Sequence, residues 1–105
     1  NIIIIKVSSN KKKVLRKIAD KLIKNRLVAC VNFLNNVYSF YLWNEKVIKD
    51  KEYIMLIKTI LEKEKAVYKE VKSMHNYKVP EIMTIKVSQM DNDYTKWLIG
   101  CVSND

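Results

Sequence analysis

The sequence holds one glycine, one proline and one histidine in 105 residues, and only two cysteines. Each scarcity removes a class of chemistry. Gly100 alone cannot build the glycine-rich loop that cradles phosphates, and His75 alone cannot supply the paired histidines of an H-E-x-x-H zinc helix. Cys30 and Cys101 stand far apart with no C-x-x-C spacing, which gives neither a zinc signature nor a dense disulfide framework. A reducing compartment is the expected setting. One cysteine and one histidine can in principle pair as thiol nucleophile and base, but no orienting third group or oxyanion hole accompanies them, so catalysis is not expected. No apolar run approaches the roughly 20 residues of a membrane-spanning helix. No basic stretch precedes the opening run Ile2–Ile5 as it would in a signal peptide. A cytoplasmic location follows as the expectation. Because position 1 is Asn and not Met, an organellar location after removal of a targeting extension is the alternative.

What the chain does have is enough apolar material for a core, with 49% hydrophobic and 30% charged residues. Its length fits one domain over residues 1–105. The net charge of +9 invites a polyanionic partner. Against this, lysines are spread from Lys6 to Lys96 among Asp50, Glu62, Glu64, Glu70 and Asp91, and the one lysine run, Lys11-Lys12-Lys13, is short. Arginine, the preferred fork for phosphates, occurs only as Arg16 and Arg26. Neither nucleic acid nor a membrane is expected as a partner.

Ile2–Val7, β-branched and apolar at almost every position, reads as a central strand covered on both faces. Ser9 or Asn10 is placed to cap a helix whose inward stripe is Val14, Leu15, Ile18, Ala19, Leu22 and Ile23. Val28 to Trp43 is strand-like, with Ser39, Tyr41 and Trp43 alternating against Phe40 and Leu42. A polar connection over 44–51 and a returning strand over Glu52–Thr59 complete a long hairpin. Thr59 and Glu62 have capping-box spacing for a second helix with Ala66, Val67, Val71 and Met74 turned inward; Pro80 forbids its continuation. Glu81–Val87 is the fourth strand, and Asp91 caps a short last helix carrying Tyr94, Trp97, Leu98 and Cys101.

The order β-α-β-β-α-β is the ferredoxin-like α+β plan, which puts both crossover helices on one face of an antiparallel sheet. The other face is left bare and largely apolar, and a second subunit is the simplest cover for it. Length argues likewise. A single strand over Val28–Trp43 reaches about 50 Å at ~3.3 Å per residue, beyond the roughly 33 Å width of a compact chain this size. The hairpin must bend or overhang, and Asn35-Asn36 is where a bulge can steer it.

Five blocks in register, Leu27–Asn32, Ser39–Trp43, Ile57–Thr59, His75–Ile82 and Asp93–Leu98, resemble the CutA divalent-cation-tolerance family in order and spacing. The resemblance implies a ferredoxin-like subunit in a tight homotrimer made by strand pairing between subunits, binding of copper and other divalent metal ions, and a part in the response to metal ions. It departs from the family block His-Pro-Tyr-Glu-x-Pro-Glu at Asn76 and Lys78, and Val7 stands where some relatives carry a cysteine.

Soft Cu(I) favours thiolate and thioether, and imidazole suits copper and zinc alike, so Cys30, His75 and Met74 are the candidate metal ligands. The plainer alternatives are a Cys30 packed as a small hydrophobe and a His75 bonded to the last helix carbonyls. A second candidate is a ligand pocket of Lys58, His75, Tyr77 and Glu81 walled by Tyr41 and Trp43. Its alternative is a Lys58–Glu81 ion pair that orders the assembly, with the aromatics as interface packing. The reading is a metal-binding trimer that is not an enzyme, with copper or another divalent ion as its ligand. Two alternatives stand beside it: a small-ligand signalling trimer resembling the PII proteins, with an anion between subunits, and a structural or partner-docking trimer.

Overall fold

The computed structural model describes residues 1–103. Strand β1 (Ile2–Ser9) is followed by helix α1 (Lys12–Lys24), strands β2 (Cys30–Trp43) and β3 (Lys46–Ile60), helix α2 (Glu64–Met74), strand β4 (Ile82–Lys86) and helix α3 (Asn92–Val102). The four strands form one antiparallel sheet in the order β2-β3-β1-β4, the ferredoxin-like arrangement that the sequence predicts.

Alternation along the strands fixes the two faces. Ile3, Ile5 and Val7 of β1 stand beside Thr59, Ile57 and Met55 of β3, and all six are buried. Leu15, Ile18 and Leu22 of α1 and Val67 and Val71 of α2 complete that core. Burying each such Leu, Ile or Val side chain stabilises the fold by roughly 1.5–3 kcal/mol, so this layer holds the sheet in place. Two predicted inward positions face out instead: Ile23 is nearly half exposed and Ala66 is exposed. Helix α3 lies across the opposite face, where Lys58 Nζ donates to the Tyr94 hydroxyl at 3.3 Å. Its buried stripe is Leu98 and Val102, while Trp97 turns outward.

Capping signals predict the helix starts less well than periodicity predicts the helices. Ser9 does not cap α1; its Oγ accepts from Lys11 N at 3.0 Å and donates to Asn76 Oδ1 at 2.6 Å, and Lys11 takes the cap position with no side-chain bond. The Thr59–Glu62 capping box is also absent, because Thr59 Oγ1 donates to the Leu27 carbonyl at 2.6 Å and Leu61–Lys63 enter α2 as a 3-10 turn. Asp91 does cap α3, accepting from Tyr94 N at 3.1 Å.

The predicted polar connection over 44–51 is mostly strand. Only Asn44 and Glu45 form the turn, both with positive φ, and Lys46–Lys51 pair with Tyr38–Trp43. The expected bulge is present: the β2–β3 register shifts between Leu34 and Val37, with Asn36 at φ 59°. One extra residue there keeps Val37, Ser39, Tyr41 and Trp43 on the face opposite the core. β1 pairs with β3 only from Tyr53 onward, so the ribbon overhangs the sheet and gives the molecule its 50 × 27 × 21 Å shape.

Candidate functional site

Polar side chains gather where β1 ends, beside the loop that follows α2 and the root of the ribbon. Ser8 Oγ donates to Glu81 Oε1 at 2.7 Å, and Lys6 Nζ meets Glu81 Oε2 at 3.3 Å. The Tyr77 hydroxyl accepts from Asn10 N at 2.8 Å and donates to Glu52 Oε2 at 2.7 Å. Glu52 is 8% exposed, so this one donor offsets much of the cost of holding a carboxylate away from water. Burial, followed by the bond to Glu52 and its charge, pushes the Tyr77 hydroxyl above its ordinary pKa.

His75 is held by both nitrogens. Tyr77 N donates to Nδ1 at 2.9 Å, which makes Nδ1 the acceptor, and Nε2 therefore carries the proton and donates to the Ser8 carbonyl at 2.8 Å. The ring also tilts against Tyr77, with centroids 5.0 Å apart. A metal at either nitrogen would have to displace one of these bonds.

Within one chain the predicted metal ligands do not meet. Cys30 pairs in register with Lys58, which pairs with Ile4, whereas His75 bonds at Ser8. Four residues of β1, about 13 Å at ~3.3 Å each, separate those levels of the sheet. Met74 packs against the core. Among the described residues no group of three or more His, Cys, Asp or Glu side chains could hold a metal ion. Cys30 itself is a half-buried free thiol, and Cys101 lines a shallow cleft with Ala29, the residue before it.

The predicted pocket is divided in the same way. Tyr41, Trp43 and Tyr77 do line one open cleft of about 630 Å³, together with Asn10, Asp50, Glu52 and Lys78. Glu81 is engaged by Ser8 and Lys6, and Lys58 lies at the far end with its amine over the Tyr94 ring. The expected Lys58–Glu81 ion pair is therefore not formed within the chain. Tyr41 donates to Asp50, and that bond raises its pKa above the ordinary value.

Ser8, Ser9, Asn10 and Glu52 are site residues that the sequence reading missed. The abrupt change from Ile2–Ile5 to Ser8-Ser9-Asn10 marks a strand running into a polar site. No local signal marks Glu52, since an acid beside Asp50, Lys49 and Lys51 looks solvated until Tyr77 is folded over it.

Comparison with known proteins agrees over nearly the whole chain. The family described as CutA1 divalent ion tolerance protein matches residues 3–100. The divalent-cation tolerance protein CutA of Thermotoga maritima is 39% identical over 89 residues, covering 85% of this chain and 86% of that protein. Human protein CutA is 35% identical over 92 residues, 88% of this chain but 51% of the longer human protein. The crystal structure of CutA1 from Pyrococcus horikoshii superposes with a TM-score of 0.90 at 31% identity, covering 97% of this chain and 99% of that one. CutA1 from Ehrlichia chaffeensis, at 23% identity, shares the fold with a TM-score of 0.94 over 98% of this chain and 96% of that one. On the family match and these identities, the chain belongs to the CutA1 divalent ion tolerance family.

Proposed function

We propose that the protein acts in divalent-cation tolerance as a homotrimer that binds copper or another divalent metal ion and catalyses no reaction. The observation that carries the assembly is the overhanging ribbon, on which Phe40, Leu42, Trp43 and Val47 are each more than 60% exposed. Its edges have no strand partner beyond Tyr53, and backbone edges and apolar side chains of this kind are covered by association. The soft donor best suited to a copper ion is Cys30, on the edge strand β2. A complete ligand set then needs donors from more than one copy, because His75 of the same chain is distant and occupied.

A small-ligand trimer is the second reading, supported by the aromatic walls Tyr41, Trp43 and Tyr77. The carboxylates of Asp50 and Glu52 in the same cleft argue against an anionic ligand there. Location is proposed as cytoplasmic, with an organelle as the alternative; an Arabidopsis thaliana relative is named as chloroplastic. Among the described residues no helix is long and apolar enough to cross a membrane.

Light scattering, elemental analysis and Cu(I) titration of the reduced protein test the proposal together. The expected mass is about 37 kDa, three times 12.4 kDa. Cys30→Ser should weaken Cu(I) binding by tenfold or more, a change of about 1.4 kcal/mol, while His75→Ala should change it less. Equal affinities in all three proteins would remove Cys30 as a ligand. A trimer indifferent to metals would favour the docking reading, and a stable monomer would overturn the proposal.

A further inference from the structure

The spread of lysines along the chain is the ground on which no nucleic-acid partner is expected, but helix α1 and its approach concentrate the net charge and revise that expectation. Between Lys11 and Lys24 lie seven basic residues and one acid, so this stretch alone carries six of the nine net positive charges. Helix α1 buries Leu15, Ile18, Ala19 and Leu22 of its apolar stripe in the core and leaves its cations largely outward. Two of them are neutralised: Lys21 Nζ lies 3.1 Å from Glu70 Oε2, and Lys24 Nζ 3.0 Å from Asp20 Oδ2. Among the described residues, Lys11, Lys13, Arg16 and Lys17 have no ion-pair partner and are exposed.

This placement works against the helix. The first turn has no acidic residue and no side-chain cap, yet Lys11, Lys12 and Lys13 sit at the positive end of the macrodipole. Lys12 with Arg16 and Lys13 with Lys17 add like charges four residues apart. Among the described residues, Lys12 alone of these four gains a contact in the fold, its amine 6.0 Å from the centroid of the Tyr53 ring; local rules broken with so little compensation point to a role outside the fold. Lys12, Lys13, Arg16 and Lys17 also rim an open groove of about 600 Å³ with Phe33 of β2 in its wall and Asp20, already paired with Lys24, among its lining residues.

We propose that the groove between α1 and β2 is a docking surface for single-stranded nucleic acid, with Lys12, Lys13, Arg16 and Lys17 on the phosphates and the half-buried Phe33 in the groove wall against a base. Cations that follow a backbone beside an aromatic face are the recurring elements of single-strand binding. An anionic membrane fits less well, because the apolar side of α1 is mostly spent in the core and leaves only the half-exposed Ile23 to insert. The groove is independent of any metal site.

Fluorescence anisotropy with a labelled single-stranded oligonucleotide of about 15 nucleotides tests this at rising salt. Four phosphate contacts predict a slope of log affinity against log salt of about −3. Lys13→Ala/Arg16→Ala/Lys17→Ala should lower affinity about tenfold or more and flatten the slope to about −1. The equally neutralised control Lys65→Ala/Lys69→Ala/Lys72→Ala, on the exposed side of α2, should stay within about twofold. Both triple variants should keep wild-type circular dichroism, and the α1 variant should melt no lower than wild type, since it loses repulsion. Phe33→Leu should weaken binding about threefold at unchanged slope. Equal loss in the two triple variants would reduce the effect to net charge and overturn the site. Tighter binding to phosphatidylserine vesicles than to the oligonucleotide would overturn the choice of partner.

Discussion

Tyr77 shows how one hydroxyl ties three parts of the fold together. It closes the loop after α2 onto the end of β1 through Asn10 and onto β3 through Glu52. Removing its donor leaves Glu52 buried and unbonded at that oxygen, so Tyr77→Phe is expected to cost about 1–3 kcal/mol in urea unfolding. The pH dependence has a definite sign. A hydroxyl whose pKa is raised by burial and by Glu52 favours the protonated form in the folded state. Its contribution is complete below the unfolded value near 10 and is lost as pH rises above it. Wild type should therefore lose more stability than Tyr77→Phe between neutral pH and pH values above about 10. Parallel losses in the two proteins would show that the Tyr77–Glu52 bond does not carry this effect.

Among the elements, the β2–β3 ribbon is the least conventional, and its turn is the weakest joint. Asn44 and Glu45 adopt φ 51° and 64°, the mirror-image geometry that matches strand twist in two-residue hairpins. Asparagine tolerates that region; a glutamate resists it. Glu45→Gly should stabilise the protein by about 0.5–1 kcal/mol in chemical denaturation, and a loss of stability would refute the strain argument. The same ribbon marks the limit of what was legible in the sequence. Ser39–Trp43 and Ile2–Val7 are legible as strands because period-two patterning and β-branched or aromatic residues favour extended backbone, whether or not a face is covered. Lys46–Lys51 reads as a loop because its charges mask a strand with one exposed face, Val47, Lys49 and Lys51, and one on which Ile48 and Asp50 are only half-buried. Proximity in space was less legible still: Cys30, Lys58 and His75 each suggested chemistry, but sheet register separates them.

At the scale of the whole molecule, the chain is too long for its mass. Its radius of gyration is 14.7 Å, against about 13 Å for a compact chain of this length, and the excess is the ribbon. The apolar surface is distributed accordingly. Leu34, Met83 and Ile85 lie about half exposed on the sheet face opposite the core, and Tyr38, Phe40, Leu42 and Val47 are exposed on the ribbon. Covering Phe40 and Leu42 alone would contribute roughly 1.5–3 kcal/mol each, enough for one substitution to shift an association equilibrium by more than tenfold. Phe40→Asp/Leu42→Lys alters only these ribbon side chains and leaves the core of Ile5, Leu15 and Ile57 untouched. If the ribbon mediates assembly, this variant keeps wild-type secondary structure by circular dichroism while its mass in light scattering falls toward 12.4 kDa. If the mass is unchanged, the contact between copies lies on the sheet face, and Met83→Lys and Ile85→Lys become the substitutions that dissociate it.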